Sequence, residues 1–143
     1  TPYQKFLRGS CPRPFNHISV KHRRKTIERI KKIRIGENLV RASKRDKTVL
    51  DGYSNPDNIQ SNIYRRLDPT KPAFTIVHPR RAMILHPYEH RVISVREAAR
   101  LQSFPDAYVF YGTLDSQYQQ VADAVPPLMA FAIAYALQKI FEK

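Results

Sequence analysis

The sequence holds one cysteine, four glycines and only 12 acidic residues against 25 lysines and arginines. Each shortage removes a class of protein. The lone Cys11 can neither close an internal disulfide nor build a cysteine-rich zinc site, so packing or another chain must hold the fold, and a reducing cytoplasm is the expected setting. Four glycines could hardly supply a glycine-rich phosphate loop, and none occurs. The longest apolar run is about a dozen residues, short of the roughly 20 that a membrane-spanning helix requires. No secretory leader or lipidation motif is visible. The scarcity of acid leaves a net charge of +13, which points to a polyanionic partner, nucleic acid first.

The 143 residues suffice for one domain with a modest core and exclude a large multidomain machine. The first residue is Thr1 and not methionine, so the expectation is a piece of something longer, a processed form or a trimmed chain. Charge is spread unevenly. Residues 1–50 carry 15 basic and 3 acidic residues, residues 51–100 carry 8 and 5, and residues 101–143 carry 2 and 4. The sharpest cluster runs from Lys21 to Arg34 and contains a single acid, Glu28; Arg41, Lys44, Arg45 and Lys47 continue it. Side chains of this kind neutralise phosphates and release counterions, so binding built on them falls steeply with salt. The competing reading is a solvated helix face that keeps the domain soluble.

Along the chain, Thr1 to Asn16 reads as a loop rich in turn formers. Ser19 is placed to cap a helix with an apolar stripe of Ile27, Ile30 and Ile33, stopped at Gly36. From Glu37 to Pro72 the composition is that of an irregular surface segment. Ala73–Val77 and Ala82–Leu85 are β-prone runs joined by His78-Pro79-Arg80-Arg81, which predicts a hairpin with a basic tip, and Arg91-Val92-Ile93 offers a third strand. Ser94 and Glu97 form a capping box for a helix starting at Val95 and ending near Ser103, before Phe104-Pro105-Asp106. A last helical region begins near Ser116, breaks at Pro126-Pro127 and resumes as Leu128 to Leu137, apolar on every face. Such a helix is built for burial, and four or five short elements cannot enclose it. A second domain or subunit is expected to cover it.

Catalytic constellations are scarce. His86 and His90 stand four apart, but Pro87 between them disfavours the helix that would align them as metal ligands. Cys11 sits in an arginine-rich loop that could lower a thiol pKa, yet no base is defined beside it. The chain reads as a binding half without its chemical half.

Two segments carry a family resemblance. Arg91-Val-Ile-Ser-Val-Arg-Glu-Ala-Ala-Arg-Leu-Gln-Ser-Phe-Pro-Asp106 resembles motif IX of the DNA cytosine-5 methyltransferases. Gln117-Tyr-Gln-Gln-Val-Ala-Asp-Ala-Val-Pro-Pro-Leu-Met-Ala-Phe-Ala-Ile-Ala134 resembles their motif X, at the family's spacing. Pro72 to Ile76 looks like the Thr-Ile element of the target recognition domain, and Asn16 to Asn38 is similar to the variable region before it. The resemblance implies a bilobal enzyme that flips a cytosine from the duplex and moves a methyl group from S-adenosylmethionine to C5. The larger lobe of that enzyme holds the cofactor loop, a Pro-Cys nucleophile and a base-engaging Glu. None of these is in this chain, and Ser10-Cys11-Pro12 reverses the Pro-Cys order, so no catalytic residue is carried over and no metal is expected.

The implied fold class is α/β in the α+β sense. Residues 1–113 would form a small, irregular recognition domain with short antiparallel strands, including motif IX. Residues 114–143 would form a helical motif X segment that docks on a missing Rossmann-like lobe. The resemblance and the charge pattern together nominate Arg23, Arg24, Lys25, Lys44, Arg45, Arg65, Arg66, Thr75, Ile76, Arg80 and Arg81 for double-stranded DNA. Arg91, Arg96, Glu97 and Arg100 match motif IX positions that hold the recognition domain together. Asp123, Ala124 and Val125 match the cofactor-lining part of motif X, where Ala-Asp-Ala-Val replaces the common Gly-Asn-Ala-Val and removes an amide donor. Val77-His78-Pro79 likewise stands where the family often has glycines. The expected partners are DNA, a catalytic lobe or large subunit and, for the isolated chain, a second copy through Leu128 to Phe141. The expected setting is the nucleoid of a prokaryote or phage host, within a restriction-modification system. The competing functions are a non-catalytic basic DNA-binding module and a degenerate regulatory homologue.

Overall fold

In the computed structural model of the chain, all residues except Asn55, Asp57 and Lys143 are described. Among the described residues six helices carry the fold: α1 (Pro2–Arg8), α2 (Arg24–Lys31), α3 (Leu39–Arg45), α4 (Val95–Leu101), α5 (Leu114–Asp123) and α6 (Pro127–Phe141), with a 3₁₀ turn at Lys47–Leu50 after α3. The capping box at α4 forms: the Ser94 hydroxyl accepts from the Glu97 N–H at 3.1 Å, and the Glu97 carboxylate accepts from the Ser94 N–H at 2.7 Å. The segments expected to be irregular hold two further helices. Thr1 and Gln4 make a capping box for α1, and the Asn38 side chain caps α3. Ser19 does not start α2; that helix begins five residues later, behind Arg23, without a side-chain cap.

The expected antiparallel strands are not formed. Among the described residues there is no strand, only two isolated bridges, Arg66 with Leu85 (parallel) and Leu85 with Val92 (antiparallel). The cause lies in the His78 to Ile84 segment. Its backbone is spent locally, with the Ala82 N–H donating to the His78 carbonyl at 3.0 Å and the Ile84 N–H to the Pro79 carbonyl at 2.9 Å. Met83 turns left-handed at φ 52°. A chain coiled in this way cannot lie alongside Ala73–Val77, and Pro79 has no N–H to give to a ladder. The fold is therefore helices held by irregular segments.

Two apolar clusters meet at the paired segments Ile84-Leu85 and Val92-Ile93. Neighbouring side chains on extended backbone point to opposite sides. Ile84 and Ile93 join Val95, Ala98 and Ala99 of α4 and Tyr118 and Val121 of α5, while Leu85 and Val92 join Ile30 and Ile33, Leu39 and Ala42 of α3, and Val49. The α4–α5 contact is fixed by hydrogen bonds as well. The Tyr118 hydroxyl donates to the Ile93 carbonyl at 2.7 Å, and the Gln102 amide to the Val121 carbonyl at 2.6 Å.

Helix α6 stands apart from both clusters. None of its residues is buried, and Leu128, Met129, Phe131, Ile133, Tyr135, Leu137, Ile140 and Phe141 are 41–83% exposed. By length and composition the stretch Leu114–Phe141 would pass for a membrane span, but extended backbone at Ala124 and Pro126 divides it into helices of 10 and 15 residues. At about 1.5 Å per residue, α6 alone falls short of a hydrocarbon core of about 30 Å.

Candidate nucleic-acid interface

The side chains expected of motif IX, Arg91, Arg96, Glu97 and Arg100, act as internal braces. Arg91 grips Glu97 with two bonds of 2.7 and 2.8 Å and reaches Glu89 at 2.6 Å. Burial opposes the charge on Glu97, but hydrogen bonds from Arg91 and from the Ser94 N–H hold its carboxyl down at about 2. Arg96 is wholly buried. Its guanidinium donates to the carbonyls of Phe15 and Pro105 at 2.7 and 2.8 Å, and to that of Tyr108, tying the N-terminal segment to the turn after α4. Arg100 makes a two-point pair with the buried Asp106 at 2.8 and 2.6 Å.

The nominated cations divide into free and spent. Arg23, Arg24 and Lys25 lie exposed at the start of α2, whose first turn holds no acid, and Lys44 is exposed at the end of α3. Arg24 and Lys25 line one edge of an open groove of about 540 Å³ between α2 and the 3₁₀ turn. Arg45 is committed to Glu37 at 2.9 Å and to the Lys32 carbonyl at 2.7 Å. Arg65 is half-buried, with its guanidinium 3.6 Å from the centre of the Phe74 ring. Arg66 lies in the interior, 4% exposed, and donates to the carbonyls of Ile30, Ile33, His86 and Glu89. Four carbonyls consume its donors, and one of them, that of Ile30, belongs to the last turn of α2, where a cation is favoured.

Thr75 is exposed while its neighbour Ile76 is 9% exposed and packs in the α4–α5 cluster. Arg80 and Arg81 converge on a residue that sequence reasoning passed over. Asp115, in the first turn of α5, accepts from Arg80 and from Arg81, each at 3.1 Å. His78 completes the group: its Nδ1 accepts from the Arg81 N–H at 3.3 Å, and its Nε2 lies 3.4 Å from Asp115 Oδ1 without hydrogen-bonding geometry. The separation of 34 to 37 residues left no local signal for this cluster.

At the far end of α5 the backbone turns extended at Ala124, and Val125 is 59% exposed. Asp123 accepts from the Gln119 amide at 2.7 Å. Cys11 is nearly buried and donates to the Arg13 carbonyl. Among the described residues no group of three or more His, Cys, Asp or Glu is arranged to hold a metal ion.

The family model for C-5 cytosine-specific DNA methylases matches residues 7–139. The chain is 33% identical over 150 residues to the type II methyltransferase M.DdeI of Desulfomicrobium norvegicum, an alignment covering 98% of this chain and 36% of that one. It is 37% identical over 135 residues to the type II methyltransferase M.AquIB of Picosynechococcus sp., covering 87% of each. A crystal structure of a prophage-encoded E. coli protein, described as a DNA modification methyltransferase, superimposes with a TM-score of 0.64 at 29% identity, over 90% of this chain and 30% of that one. The chain thus spans about a third of M.DdeI and of the solved structure, and most of M.AquIB. With a family match over nearly its whole length and a relative of its own size, the chain belongs to the C-5 cytosine-specific DNA methylase family.

Proposed function

We propose that this chain is the C-terminal recognition portion, or recognition subunit, of a DNA cytosine-5 methyltransferase of a prokaryotic restriction-modification system. The observation that carries the reading is α6, a helix apolar on every side with no buried residue. Eight large apolar side chains left in water are an interface awaiting its other half. A catalytic lobe bearing the cofactor loop and the Pro-Cys nucleophile supplies that half, and the pair works in the cytoplasm on double-stranded DNA. The like-sized M.AquIB supports the subunit form, and the partial coverage of M.DdeI supports the single-chain form.

In this arrangement the braces of motif IX fix the recognition surface. Arg23, Arg24, Lys25 and Lys44 meet phosphates, while Thr75, Arg80 and Arg81 lie toward the flipped base and its neighbours. Arg66 and Ile76 support that surface from beneath. S-adenosylmethionine, when bound, supplies the methyl group. The residues here fit one wall of its site: Ala124 leaves the helix with extended backbone, and Val125 presents an exposed apolar side chain. Asp123 can accept a hydrogen bond there but, ionised, cannot donate one.

Transfer of labelled methyl groups to mixed-sequence duplex DNA tests the reading. The isolated chain should transfer none, and the chain joined to its Pro-Cys lobe should transfer readily. Activity in the isolated chain, or a joined pair that leaves DNA unmodified, would overturn it. The second outcome favours a regulatory homologue, the reading that Asp123 suggests. Without its lobe the chain should self-associate through Leu128 to Phe141, and a strictly monomeric sedimentation profile would count against this.

A further inference from the structure

We propose that Asp115 is a specificity-determining residue: by holding Arg80 and Arg81 from behind, it turns them from phosphate clamps into a pair that reads guanine edges. The inference rests on the recognition function proposed above.

The geometry is that of a shared brace. Both guanidiniums spend one donor on the same carboxylate at 3.1 Å, and each has further N–H donors besides. The tight turn that carries the two arginines is anchored by Ile76, Ala82 and Ile84 against Tyr118 and Val121 of the same helix that carries Asp115. Cations and carboxylate therefore ride on one packed unit. His78 adds a second, independent sign of construction. Its ring is nine-tenths buried against Tyr118, and its Nε2 has no hydrogen-bond partner and lies 3.4 Å from Asp115 Oδ1. With Nδ1 accepting the Arg81 N–H, Nε2 carries the ring's proton, so the carboxylate receives a third positive edge from below. Burial works against the charge on Asp115, but Arg81, His78 and Arg80 more than offset it and keep the carboxyl below its ordinary range.

Charge then selects the acceptor. An incoming phosphate would bring a second anion beside Asp115, and the like-charge repulsion cancels much of what the two arginines offer. Guanine O6 and N7 are neutral acceptors and meet no such repulsion, while the fork they require is already oriented by the carboxylate. Wild-type discrimination thus contains a repulsive element directed against non-specific backbone contact.

The test uses the chain with its catalytic lobe. Mixed-sequence plasmid DNA is methylated by the wild type and by Asp115→Asn, and modified cytosines are mapped by bisulfite sequencing. The wild-type consensus should contain a guanine that becomes permissive in Asp115→Asn, with the ratio of near-cognate to cognate methylation rising at least fivefold. Arg80→Gln/Arg81→Gln should relax the same guanine while weakening modification overall. A merely structural role would lower both kinds of site together, so an unchanged ratio in both variants overturns the proposal whatever the total activity. A wild-type pair that methylates nothing removes this inference together with the function on which it rests.

Discussion

Arg96 illustrates how a charged residue becomes a structural member. It is wholly buried and faces carbonyls of Phe15, Pro105 and Tyr108, so it joins segments some 80 and 10 residues away through one planar fork. Replacing it with Ala leaves those carbonyls without donors, and Lys cannot reproduce the fork. Arg96→Ala should lose about 3 kcal/mol or more of stability in urea unfolding, with little recovery in Arg96→Lys. A loss under about 1 kcal/mol would show that the carbonyls find water instead. Glu97 provides the pH-dependent counterpart. Its folded carboxyl titrates at about 2 against an ordinary 4.5, so its contribution is complete above about 4.5 and is lost as pH falls from there toward 2. Stability measured between pH 6 and pH 2.5 should fall more steeply for the wild type than for Glu97→Gln, and parallel curves would contradict the assignment. The sequence pattern exposes Arg91, Arg96, Glu97 and Arg100 as a set, because they stand together in the segment that resembles motif IX. Asp115 escaped notice because its partners His78, Arg80 and Arg81 are brought to it only by packing. Arg66 reads as surface charge because nothing local reveals a guanidinium turned inward onto backbone carbonyls.

At the scale of elements, legibility followed the length and strength of the local signal. Helix α4 announced itself through Ser94 and Glu97, and α6 through unbroken hydrophobicity after Pro126-Pro127. Helices α1 and α3 have seven residues each and bury only Leu7, and Leu39 with Ala42. Two turns give too few repeats for a period of 3.6 to stand out. The β-prone run through Ile76 misled because propensity describes a residue's preference for a pleated surface, while the turn from His78 to Ile84 withdrew the partner backbone. The exposure of α6 has a consequence that separates docking from folding. Phe131→Glu and Ile133→Glu substitute side chains that are 69% and 47% exposed, so the isolated chain, diluted to monomer, should change by no more than about 0.5 kcal/mol. The same variants should fail to co-purify with the catalytic lobe. A large loss of stability in the diluted chain would place α6 inside this chain's own fold instead.

The whole molecule is asymmetric in charge and in polarity, and the two asymmetries assign its ends. The first 50 residues carry most of the positive charge, and Pro127–Phe141 form the uncovered apolar helix. On the reading proposed above, DNA suits the first end and a folded protein the second, so the chain would act as an adaptor between substrate and catalytic lobe. The most direct test is to purify the native protein from cells that express it, weigh it, and identify whatever accompanies it. The expected result is either a chain much heavier than 16.7 kDa or a chain of about that mass bound to a larger protein. In both cases the Pro-Cys nucleophile lies on the added mass. A 16.7 kDa chain isolated with no companion, alone or paired only with itself, would contradict the assignment and leave a DNA-binding protein without chemistry.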